Sequence, residues 1–407
     1  MTYNSPGIYF EEVSLSAGPL LTAPQTVYMF GTKGTSGTVT ATNTLTEVSS
    51  VTDFTAKFGS DSPSLPYINL YFGQYPPTGL QFCAVAKAGA QFAASDLTLA
   101  LNTALDETSA LGVYLAPEFF DLNPTTATDC ANALGTRAEA LSMFAIVDPP
   151  RTARATIGTP STTGSVRKFA ADLTSRTHSA VYFPYVQVGA SAPYTELPAS
   201  PAVAAVFVRA AVTEGIAQPP AGQKFPLYGL AGTSVKVNQP ERDLLNPEGI
   251  NAISKIRNLG WLVYGARTLD SADLRYVNSR VIVNVESFLL RQALENLLFM
   301  PFDSKGTVFE RAKSACESVM WQLWNAGALA GSSPERAYVV ICDSSNNPDE
   351  QLALGQLTVD VKQVLAGALE VIVVRPLRVT AALLTQQSND KASQVSGNLN
   401  PNAINEE

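Results

Sequence analysis

Residues 245–252 read Leu245-Asn246-Pro247-Glu248-Gly249-Ile250-Asn251-Ala252, and the rest of the chain can be read outward from them. Asn246-Pro247 signals a turn or a helix start. Beyond it, Ile250, Ile253 and Ile256 are spaced to share one face of a helix. The next element, Trp261-Leu262-Val263-Tyr264, lies between Gly260 and Gly265 and is predicted as a buried strand.

Downstream the periodicity tightens. Val281, Val285, Phe288, Leu289, Ala293 and Leu297 recur with the helical period, which predicts a long amphipathic helix over 279–299, stopped by Pro301. A second helix over 308–325 turns Phe309, Ala312, Val319, Leu323 and Trp324 inward, with Gly327 as its cap. Trp321 and Trp324, three residues apart, read as core. Residues 337–342 form an apolar strand bounded by Asp343, and Leu357, Val359 and Val361 alternate with Thr358, Asp360 and Lys362. The near-continuous apolar run Leu369 to Val374 suits a strand buried on both faces. Residues 380–407 are rich in Gln, Ser, Asn and Ala, and read as an extended polar tail too poor in apolar surface to order itself.

Upstream, strands and helices alternate. Strands are predicted at 27–30, 80–86, 143–147 and 181–188. Helices are predicted at 54–58, 67–72, 129–141 with Asp129 as cap, and 201–216 with Pro201 near its start. Residues 32–44 are Gly- and Thr-rich and read as a loop. That alternation is the mark of an α/β layer. A lone β-prone segment, Gly7-Ile8-Tyr9-Phe10-Glu11-Glu12-Val13, stands near the start and must pair with something distant.

A length of 407 residues suggests two or three domains. Charged residues make up 15%, so the surface must be wetted by neutral polar side chains or covered by partners. The net charge of −8, with no Lys/Arg-rich run, argues against nucleic-acid backbones and anionic membranes. No apolar run is long enough to cross a bilayer, and Met1 to Pro6 lack the basic and apolar regions of a signal peptide. Cys83, Cys130, Cys316 and Cys342 are far apart and read as free thiols in cores.

Chemistry-bearing patterns are sparse. His178 is the sole histidine, so a zinc centre or a Ser-His-Asp arrangement would have to be built on it, and no GxSxG accompanies it. Gly31-Thr32-Lys33-Gly34-Thr35-Ser36-Gly37 follows a strand as a phosphate loop does, but lacks the GK[ST] ending. Glu11 and Glu12 would face opposite sides of a strand. No catalytic, cofactor or metal site is expected.

The ordered set of motifs resembles the tail sheath proteins of contractile phages and related contractile injection machines. The residues that carry the resemblance are Pro6 to Val13, Leu245 to Ala252, Gly265-Ala266-Arg267-Thr268-Leu269, Leu274-Arg275-Tyr276-Val277-Asn278 with Arg280, Gly327 to Gly331, and Ala337 to Asp343. The 201–218 helix followed by Pro219-Pro220-Ala221-Gly222 is also similar. A second basic residue often follows the position of Arg280 in that family; here Val281 stands there.

The resemblance implies a mixed α/β (α+β) fold with a discontinuous inner domain, whose sheet is augmented by added strands and flanked by helices, and an inserted outer α/β domain. The expected divisions are 1–20 as a linking arm, 21–232 as the outer domain, 233–379 as the inner core with a C-terminal linking strand, and 380–407 as the tail. It further implies a helical sleeve of many copies around an inner tube, with baseplate and tail terminator proteins as partners, assembled in the host bacterial cytoplasm as part of a virion. Ile8, Tyr9, Phe10 and Val13, and Val371, Ile372, Val373 and Val374, are the candidate linking strands, joining a neighbour or pairing within their own chain. Asp303, Lys305, Glu310, Arg311 and Lys313 are the candidate tube-facing charges, with an ordinary solvated helix start as the alternative reading. A hydrolase centred on His178 and a non-contractile shell protein are the competing readings.

Overall fold

The computed structural model describes residues 26–89, 92–106, 109–120, 124–153, 156–300 and 306–370. The chain divides into two units, Met1–Ala368 and Leu369–Glu407, and every element described lies in the first. In chain order these are β1 (Thr26–Gly31), β2 (Leu45–Val48), α1 (Val51–Phe58), α2 (Leu65–Phe72), β3 (Leu80–Ala84), α3 (Ala94–Ala104), β4 (Gly112–Leu115), α4 (Pro117–Phe120), α5 (Pro124–Ala140) and β5 (Phe144–Val147). There follow α6 (Val166–Ala171), β6 (Ser179–Phe183), β7 (Val186–Val188), β8 (Thr195–Leu197), α7 (Ser200–Glu214), β9 (Gly232–Thr233), α8 (Gln239–Leu245), β10 (Ile250–Lys255) and β11 (Trp261–Tyr264). The last are α9 (Val277–Leu294), α10 (Thr307–Asn325), α11 (Pro334–Ala337), β12 (Tyr338–Ile341), α12 (Asp349–Ala353) and β13 (Asp360–Gln363).

Among the described residues eight strands form one sheet in the order β11-β10-β6-β5-β4-β1-β3-β2. The six central strands are parallel, and β2 and β11 close the edges in antiparallel pairing. Both faces are covered, which explains strands that are apolar at every position. Met29, Leu115, Ile146 and Tyr182 point into one core, while Phe30, Tyr114, Val147 and Phe183 point into the other. Helix α7 is buried along most of its length because it lies directly on β1, β4 and β5. Strands from both sides of residue 232 share this sheet, so the division expected there does not separate two sheets.

Five expectations need correction. Ile250 and Ile253 do not share a helical face: they lie on β10 and enter opposite cores. An i, i+3 spacing marks one face of a helix but opposite faces of a strand, and a strand buried on both sides satisfies either pattern. The 181–188 strand is two strands, since Pro184 has no N–H to continue a ladder. Helix α5 starts at Pro124, which leaves Asp129 inside it rather than at its cap. Trp321 is 49% exposed, because α10 buries only the face carrying Ala312, Cys316, Val319, Met320 and Leu323. Strand β11 buries Leu262 and Val263 as expected, but it is an edge strand whose last residue, Tyr264, is exposed.

Other expectations stand with shifted bounds. Helix α9 ends at Leu294 and continues as a single tighter turn, Glu295–Leu297. Gly327 has φ +75, and the bonds Gly327 N to Trp324 O and Ala328 N to Leu323 O close α10 in the manner of a left-handed C-terminal cap. The four cysteines are free and buried. The segments Ile8 to Val13 and Val371 to Val374, and residues Asp303 and Lys305, lie outside the described residues.

Candidate assembly site

The glycine-rich loop after β1 sits at the carboxyl end of that strand, beside the β1–β4 neighbour pair where the strand order changes direction, and leads the chain away to β2 at the far edge. In doubly wound sheets this crevice is the usual ligand position. Here the chain's own carboxylates fill it. The Thr32 N–H donates to Glu118 Oε2 at 2.9 Å and to Ser64 Oγ at 2.8 Å, and the Thr32 hydroxyl also donates to Glu118. Asp61 accepts from the N–H and hydroxyl of Thr35 (2.7 and 2.5 Å) and of Ser36 (3.2 and 2.6 Å). The hydroxyls of Ser36 and then Thr35 hold the Asp61 carboxyl well below the usual carboxylate range. Donors that would cradle a phosphate therefore serve an internal anion.

His178 precedes β6 and is buried. Its Nδ1 lies 2.9 Å from the hydroxyl of the adjacent Thr177. Burial, reinforced by the Arg280 guanidinium, pushes its pKa down to about 4. The neighbour that matters electrostatically is thus a cation, whereas a catalytic histidine of the hydrolase kind is oriented by a carboxylate. Among the described residues no three His, Cys, Asp or Glu side chains are grouped to hold a metal, and no helix is long and apolar enough to cross a membrane.

The motifs singled out in the sequence instead meet one another. Gly249, at φ +78, ends the Asn246–Glu248 turn, and a Cβ there would collide with the backbone of Thr268 and Leu269. Asn251 is fully buried and mimics a peptide: its Nδ2 donates to Arg267 O at 2.7 Å, and its Oδ1 accepts from Arg267 N at 2.8 Å. Glu248 takes both arms of Arg167 from α6. Thr268 N donates to Arg275 O at 2.8 Å and its hydroxyl to Leu274 O at 2.7 Å, while Arg267 and Tyr276 form a β-bridge. This loop delivers the chain into α9.

Nine of the first ten residues of α9 are buried, all but Val283, although Asn278, Ser279, Arg280, Asn284 and Glu286 are polar. Asn278 Nδ2 donates to Ala217 O and to Ala366 O, each at 3.1 Å. Asn284 Nδ2 donates to Met143 O at 3.1 Å, and Glu286 accepts from the side chain of Gln363 on β13. Burial raises the Glu286 pKa, offset by the Gln363 bond and by Arg280. The Gly327–Gly331 motif closes the junction: Ala330 N donates to Val364 O at 2.8 Å, and Ala366 N to Ala328 O at 2.9 Å.

Beyond this junction, among the described residues, β12 pairs with β13, Tyr338 opposite Gln363 and Ile341 opposite Asp360. Among the described residues nothing pairs with the outer edge of either strand. Val339 is about half exposed, and a two-stranded sheet is marginal by itself. Such open edges present free main-chain N–H and C=O groups. Of the candidate charges, Glu310 and Arg311 are exposed and Lys313 is half-buried, all near the start of α10. Sequence reading missed the apolar side chains beside them: Leu298 and Phe299 are exposed in the α9–α10 connection, Phe299 at φ +64. Their signal was the unbroken apolar Leu297-Leu298-Phe299-Met300 run, which the sequence reading placed at the end of the 279–299 helix.

No family model matches the chain, and no curated protein does. Solved structures do. A chain of the anti-feeding prophage (AFP) baseplate is 24% identical, with a TM-score of 0.71 over 93% of this chain and 100% of that one. The AFP helical sheath in the contracted state gives 0.70 at 24% identity over 93% and 100%. A sheath tail protein from Desulfitobacterium hafniense gives 0.54 at 11% identity, over 82% of this chain and 93% of that one. An α/β chain with a large mixed sheet, a separate open-edged two-stranded sheet and full-length superposition on such structures has the fold of the contractile sheath proteins.

Proposed function

We propose that the chain is the structural subunit of a contractile sheath, polymerising as a helical sleeve around an inner tube and shortening to drive that tube through a target envelope. The observation that carries this reading is the superposition on AFP sheath and baseplate chains over their full length. The open-edged β12–β13 pair supports it, since it supplies the acceptor that a linking strand requires. The arms are Ile8 to Val13 and Val371 to Val374, each joining a neighbour's two-stranded sheet through main-chain bonds that survive while side-chain interfaces break and reform. The lobe from α9 to β13 faces the tube, and Glu310, Arg311 and Lys313, with Asp303 and Lys305, meet it through weak exposed ion pairs. The particle is built in the bacterial cytoplasm with baseplate and terminator partners.

Electron microscopy of the purified chain tests the reading. Helical tubes are expected; compact particles at every concentration would refute it. Removing residues 1–13, or Ile372→Pro, should leave a folded protein that forms no continuous sleeve.

A further inference from the structure

Residues 363–366 are gripped from two sides. On one side the Val364 N–H donates to Ala337 O at 2.9 Å, Val364 O accepts from Ala330, and the Ala366 N–H reaches Ala328 O. On the other, the Ala366 carbonyl accepts from Asn278 Nδ2 at 3.1 Å and from Ser279 Oγ at 3.2 Å, while the Gln363 side chain is held by Glu286. All three donors or acceptors on α9 belong to buried side chains. Buried polar groups cost free energy unless they are bonded, so filling space alone would favour apolar residues at these positions. What they add is register. An apolar contact tolerates a slip of the segment by two residues, since every second side chain faces the same way. A carbonyl held by two fixed donors, with its own N–H and that of Val364 held opposite, does not.

We infer that Asn278, Ser279 and Glu286 are positioning residues that fix the root of the C-terminal arm, so that any pull on the arm is delivered to α9 and not to the β12–β13 pair. The inference rests on the proposed arm for its purpose, but the anchor itself is a property of the single chain. Pulling along β13 alone would peel its four pairs from β12 one after another. With the root clamped beyond the end of β13, the pair stays intact as an acceptor while its own chain's arm is under load. Asn278 also bonds Ala217 O, just past α7, so the load passes on to the helix that covers the large sheet.

Hydrogen exchange on the full-length unassembled protein tests the anchor, with Ser279→Ala as the mild variant and Asn278→Ala as the stronger one. Loss of a bonded donor should speed exchange at the Val364 and Ala366 amides about five- to tenfold, with β4 and β5 amides unchanged. Unchanged exchange at Val364 and Ala366 in both folded variants would overturn the inference. So would an equal acceleration in β4 and β5, which would make the residues merely structural. Assembly is read separately: the Asn278→Ala chain should still form tubes, but tubes that fragment at least severalfold more often under shear than wild type. Tubes as robust as wild type would overturn the anchoring role. Tube formation by a chain lacking residues 369–407 would instead refute the arm, leaving the exchange result standing.

Discussion

Asn251→Ala tests whether the Leu245–Ala252 motif acts through one side chain. Asn251 is fully buried on β10 and makes two short bonds to the Arg267 backbone, with a weaker third from Nδ2 to Val181 O at 3.4 Å. Alanine removes all three and leaves the Arg267 N–H and C=O without those partners. Each deprived backbone group costs about 1–3 kcal/mol when buried, and Arg267 is half-buried, so the lower half of the range applies. The expected loss is about 2–4 kcal/mol of unfolding free energy, measured by urea denaturation. Asn251→Asp makes the argument sharper. It keeps an acceptor for Arg267 N–H but sets a carboxylate against two carbonyls, so it should cost at least as much as alanine despite its near-identical shape. An alanine variant within about 1 kcal/mol of wild type, or an aspartate variant as stable as wild type, would refute the reasoning.

Gly249→Ala should cost more than about 2 kcal/mol, since it places a Cβ at φ +78 and against the Leu269 backbone; urea midpoints would show it. His178 is held neutral with a folded pKa of about 4 against an ordinary value near 6.5. The unfolded chain therefore takes up its proton first as pH falls, and stability is lost between pH 6.5 and 4, by up to about 3 kcal/mol. His178→Gln should flatten the stability profile in that window and leave tube assembly intact. Reversing Glu310 and Arg311 together should reduce co-sedimentation with the inner tube at low salt while self-assembly of the chain proceeds unchanged.

Much of the large sheet was legible because its strands and helices are locally consistent. The 27–30, 80–86 and 143–147 segments are apolar and bounded by turn residues, and they became β1, β3 and β5. Strand β4, Gly112-Val113-Tyr114-Leu115, was not among the predicted strands. Its identity comes from parallel partners more than 30 positions away on either side. The Ile250 error has the same root, since periodicity cannot distinguish a helix face from a strand buried on both sides. At the candidate site the motifs could be quoted from sequence, but their meeting could not. The Asn278–Ala366 bond spans 88 residues and the Asn284–Met143 bond 141, and neither pairing leaves a local trace. The exposed Trp321 reflects a helix packed on one side only, which depends on what α10 meets and not on its own spacing.

Glu118 and Asp61 occupy the donors of the Gly31–Gly37 loop from the moment the chain folds. In an enzyme built on such a sheet, that crevice lets a metabolite bias the conformation, turn after turn. A sheet that carries its own anions has no such input there. If this chain is part of a machine that fires once, its energy must be stored during folding and assembly, like a trap set by its maker, and no fuel molecule at this crevice is needed to release it.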